Sequence, residues 1–84
     1  MYKLFFFNYN NNGDYMNNIN VREYIINNFK SNNIDEIRDS ITSSIESKDE
    51  DPLIGLGVLF EVMWNNSSED DRLSILNNIK KGLN

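Results

Sequence analysis

The sequence predicts an all-α protein: a small single domain of about four short helices, with a central apolar helix near 53–65 and a disordered N-terminal extension. Three observations carry this reading. Apolar residues recur at spacings of three and four in three separate stretches. Residues that can cap a helix stand just ahead of those stretches. Between them lies "PLIGLGVLFEVMW", Pro52 to Trp64, a nearly unbroken apolar run in a chain that is otherwise polar and rich in asparagine.

Residues 1–15, "MYKLFFFNYNNNGDY", differ from the rest. They lack helical periodicity, and "NYNNNGDY" is turn-prone and of low complexity. Phe, Asn, Lys and Tyr are residues encoded by AT-rich codons, and "NGD" (Asn12 to Asp14) can be written AAT-GGA-GAT, which places a GGAGA sequence shortly before the codon of Met16. The expected organisation is therefore a disordered or spurious extension over 1–15, followed by a small helical domain over 16–84 whose natural start is Met16.

The first helix is expected from Asn20, a cap with Glu23 in the capping-box position, and Val21, Tyr24, Ile25, Ile26 and Phe29 follow at helical spacing. "KSNN" ends it. Asn33 then offers a second cap with Glu36 as its box partner. Ile34, Ile37, Ile41 and Ile45 form an apolar stripe, expected to face the core, while Asp35, Glu36, Arg38 and Asp39 take the wet side.

The loop "SKDEDP" leads to the third helix, with Asp51 as the expected cap and Pro52 as the first helical residue, where a missing N–H costs nothing. This helix is apolar on nearly every face, the mark of a helix covered by its neighbours on most sides. Gly55 and Gly57 are poor helix formers, each about 1 kcal/mol worse than alanine. Close approach of another helix would offset that; alternatively, they loosen the first turn and the regular helix begins at Leu56. Ser67 or Ser68 caps a fourth helix whose first turn, Glu69-Asp70-Asp71, suits the positive dipole end. Its stripe is Leu73, Leu76, Ile79 and Leu83, with Lys80 and Lys81 in the last turn and Gly82 as the C-terminal cap. The expected architecture is three short helices gathered around 53–64, with Trp64 in the core.

Composition narrows the function. Eighty-four residues form one domain at most, near the lower size limit for a self-sufficient core, so a partner or a self-association surface would help stability. There is no cysteine, hence no disulfide and no thiolate chemistry, and no histidine for acid–base work near neutral pH. No enzyme activity is expected, and no catalytic residue, cofactor or metal site is assigned. The net charge is −5, and the eight basic residues (Lys3, Arg22, Lys30, Arg38, Lys48, Arg72, Lys80, Lys81) are scattered, which speaks against coating nucleic acid. The acidic runs Glu46–Asp51 and Glu69–Asp71 would repel phosphate, and they lack the spacing of a calcium loop. The apolar run contains Glu61 and falls short of the roughly 20 residues that span a bilayer, so no membrane association is expected.

Glu61 is the sharpest chemical candidate. Buried, it would be a carboxylic acid with a raised pKa; the plainer reading puts it on a wet strip or pairs it with Arg22, Arg38 or Arg72. Gly55-Leu56-Gly57 is only a fragment of a dinucleotide fingerprint, with no strand before it.

From Gly55 onward, "GLGVLFEVMWNNSSEDDRLSILNNIKKGL" resembles the minor small acid-soluble spore proteins of the I type (the SspI family) of endospore-forming bacteria. The family pattern reads close to LPGLGVLFEVIW, followed by a polar linker and a short amphipathic helix. Gly55, Leu56, Gly57, Val58, Leu59, Phe60, Glu61, Val62 and Trp64 match it, Met63 replaces an aliphatic residue, and Ile54 stands where the family has proline. The resemblance extends weakly back to Met16. It implies a non-enzymatic protein of the forespore and then the spore core, with a structural or interaction role in sporulation. The partner it implies is another spore protein or a second copy. The competing readings are a small helical regulator that binds nucleic acid or protein through a helix pair, and an acid catalyst centred on Glu61.

Overall fold

A computed structural model describes residues 18–84, with side chains from Val21 onward. The predicted extension over 1–15 and the start at Met16 lie outside the described residues. Four helices follow one another: α1 (Asn18–Phe29), α2 (Ile34–Ser47), α3 (Asp51–Asn65) and α4 (Glu69–Leu83). The described residues contain no strand.

Helix α1 begins two residues ahead of the expected cap, so Asn20 lies within its first turn. Val21, Ile25 and Phe29, one turn apart, form its packed edge; Ile25 is wholly buried and Phe29 nearly so. The chain leaves α1 through a turn closed by Asn32 N–H donating to the Phe29 carbonyl at 3.0 Å.

The predicted capping box opens α2. The Glu36 amide donates to Asn33 Oδ1 at 2.8 Å, and the Asn33 amide donates to Glu36 Oε1 at 3.0 Å. The face of α2 that is buried differs from the predicted one. Ser40 and Ser44 are buried, Ile37 and Ile41 lie half-buried beside them, and Ile34 and Ile45 at the stripe's ends are 77% and 62% exposed. Small residues thus occupy the buried line of α2, and the Ser44 hydroxyl is satisfied within its own helix by donating to the Ser40 carbonyl at 2.8 Å. Lys48 ends α2 in the left-handed conformation, φ 64°, the one non-glycine residue with positive φ among those described.

Helix α3 starts at Asp51 and runs unbroken through both glycines, so a looser first turn before Leu56 is not what forms. Its cap is Glu50, which makes no side-chain capping bond, and Asp51 and Pro52 are its first two helical residues, one position off the expected register. Both α1 and α2 pack against α3. The core is Ile25, Phe29 and Val58, with Val21, Ile26, Ile37 and Leu59 packed around it. Pro52, Gly55 and Val58 make the buried line of α3.

Two expectations fail here for one reason. The apolar run is not covered on most sides: Leu53, Ile54, Phe60, Val62 and Met63 all reach solvent. Nor does α4 close around it. Helix α4 has the predicted Ser68 cap, whose hydroxyl accepts from the Asp71 amide at 3.1 Å, and the predicted charges at both ends. Yet none of its residues is buried, and Leu73, Leu76, Ile79 and Leu83 are exposed. Two packed neighbours cannot cover a whole helix circumference, so α3 keeps a bare side. Gly82 is also inside α4, which continues to Leu83 with Asn84 as its cap.

Candidate functional site: a groove beside the Arg22–Glu61 ion pair

The bare side of α3 meets α1 along an open groove of about 410 Å³ lined by Val21, Arg22, Leu53, Ile54, Gly57, Val58 and Glu61. Leu53, Gly57 and Glu61 follow at one-turn intervals along α3, while Val21 and Arg22 come from α1. Gly57 keeps the groove open. A methyl group built on it would meet nothing within 4 Å, so the close helix approach expected at this glycine does not occur. Gly55, two residues back and about 200° around the helix, is buried.

Glu61 closes one end. Of the three arginines considered for it, Arg22 is the partner, in a fork in which Nε donates to Oε1 and Nη2 to Oε2, each at 2.8 Å. Both side chains remain about half exposed. The hydrogen bond from Arg22 holds the Glu61 carboxyl below its ordinary value of 4.5, against a smaller opposing effect of desolvation. The same bond raises the Arg22 guanidinium. A proton-donating catalyst is favoured by the opposite shift.

A second constellation sits at the corner between α3 and α4. Trp64 is half-buried rather than part of the core. Its ring stacks on Phe60 one turn back, centroids 5.8 Å apart and planes at 21°. Arg72 lies over the Trp64 ring, its guanidinium carbon 5.0 Å from the centroid, while its Nε donates to the Trp64 carbonyl at 3.0 Å. Ser67 and Asn66 side chains take up the Met63 and Val62 carbonyls at 2.7 and 3.1 Å. The Val62, Met63 and Trp64 carbonyls at the end of α3 are therefore satisfied, and Arg72 ties the start of α4 to that end.

The motif residues thus divide around α3. Gly55 and Val58 are buried, and Leu56, Leu59 and Trp64 are half-buried; Gly57, Phe60, Glu61 and Val62 face out. The groove and the small buried line of α2 had no sequence signal beyond the glycine and the serines themselves. Among the described residues no three acidic side chains converge to hold a metal ion, and no helix is long and apolar enough to cross a membrane.

Comparison with known proteins agrees with the motif. The family model for "Small, acid-soluble spore protein I" matches residues 19–83. A protein of that name from Bacillus cytotoxicus is 39% identical over 66 residues, covering 79% of this chain and 94% of the relative. One from Bacillus licheniformis is 38% identical over 65 residues, 77% of this chain and 93% of the relative. No solved structure matches. With the family model spanning well over half of the chain and relatives aligned along nearly their whole length, this chain belongs to the small, acid-soluble spore protein I family of sporulation proteins.

Proposed function

We propose that the protein acts without catalysis, in the forespore and then in the spore core, through contacts made by its exposed apolar surface. The observation that carries this is the state of α3. Glu61, the carboxylate set within its apolar run, is held in a solvent-exposed ion pair, while the apolar residues around it reach water. A small domain that leaves so many large apolar side chains on its surface is built to be covered by something else. Family membership supports the spore setting, and the overall negative charge supports a protein partner over a nucleic acid.

A fluorescent fusion followed through sporulation tests the setting. Signal confined to the forespore and retained in the dormant spore is the expected result. Signal in the mother cell or throughout vegetative growth would overturn it. Cross-linking within dormant spores should then recover this chain joined to protein.

A further inference from the structure

We infer that α4 is a self-recognition helix that pairs antiparallel with α4 of a second copy of this chain. Helix α4 buries none of its residues, so its apolar side is available. Glu69, Leu73, Leu76, Lys80 and Leu83 succeed one another at spacings of four, three, four and three, the seam of a two-helix coiled coil. The four residues from Glu69 to Lys80 form a self-complementary series of acid, leucine, leucine and base.

Orientation follows from charge. In an antiparallel pair centred between Leu73 and Leu76, Leu73 meets Leu76 of the second copy and Glu69 meets its Lys80, twice over by the two-fold axis. A parallel pair would stack acid on acid and base on base. Neither charge is strongly engaged at home: Glu69 is almost wholly exposed and lies 3.9 Å from Arg72, the outer limit of an ion pair. The helix dipoles also favour the antiparallel arrangement, each acidic first turn lying beside a basic last turn. Glu69 and Lys80 are about 17 Å apart along the axis, so the seam is short and the dimer should be weak.

This deepens the contact role proposed above and rests on it only for the idea that exposed apolar surface is used. Purified full-length chain tests the pairing, and the localisation experiment tests the setting, so the two fail separately. Sedimentation equilibrium from about 1 to 300 µM should show mass rising from the 9.8 kDa monomer to the dimer. Leu76→Glu should stay monomeric throughout with unchanged far-UV circular dichroism, because no buried side chain is touched. The chain has no native cysteine, so orientation is read directly: oxidising a mixture of Glu69→Cys and Lys80→Cys chains should give the mixed disulfide dimer, while Glu69→Cys alone should not cross-link. Wild-type chain that remains monomeric at the top concentration, a dimer that survives Leu76→Glu, or self-cross-linking of Glu69→Cys would each overturn the proposal.

Discussion

Glu61 and Arg22 join helices that are 39 residues apart in sequence, and the fork is the polar tie between α1 and α3 that flanks the groove. Because the folded carboxyl titrates below its unfolded value, the tie contributes stability above pH 4.5 that is lost as pH falls through the lowered folded value. Glu61→Gln should therefore flatten the loss of thermal stability between about pH 6 and pH 3 without changing helix content at neutral pH, as thermal melts across that range would show. Arg72 acts at the other end of α3. Arg72→Met should shift the emission of the single tryptophan to the red while altering global stability by no more than about 1 kcal/mol, since a partly exposed cation over a ring contributes about that much. The sequence limited the partner of Glu61 to three arginines but could not choose among them. Both α1 and α2 pack against α3, and the choice depends on which side of α3 each one meets: Arg22 of α1 lines the same groove as Glu61, whereas Arg72 is drawn to Trp64 by the turn between α3 and α4.

Among the elements, α3 makes the clearest prediction. Gly57 has helical geometry and open space where a side chain would begin, so Gly57→Ala should raise stability by up to about 1 kcal/mol, measured by urea denaturation. The same methyl would narrow the groove, and any partner lodged there should bind less well to the more stable variant. The helices were legible because their signals are local. The Asn33–Glu36 box and the Ser68 cap act over three residues and form as their sequences predict. The phase of α2 was not legible. Periodicity identifies an apolar stripe, but which residues are covered depends on the neighbours' angles, and the covered line of α2 runs through Ser40 and Ser44, whose small side chains sit buried. The span of α3 was nearly right and its environment was not: an all-apolar helix implies many neighbours, and among the described residues only α1 and α2 pack closely against it.

At the scale of the whole molecule, three buried apolar side chains and their half-buried neighbours hold α1, α2 and α3 together. Ile25→Ala removes the most enclosed of them and should cost about 2–5 kcal/mol, enough to leave a large unfolded fraction at 25 °C in a domain this small; circular dichroism against urea would register it. That core does not include α4, whose capped and charge-matched ends make it a sound helix that buries none of its residues and, through Arg72, is tied to the end of α3. A helix held in this way opens on its own. Its amides should take up deuterium well before those of the Ile25 neighbourhood, and if copies associate through it, dilution should speed that uptake in residues 69–83 alone, leaving the remaining helices indifferent to how crowded the solution is.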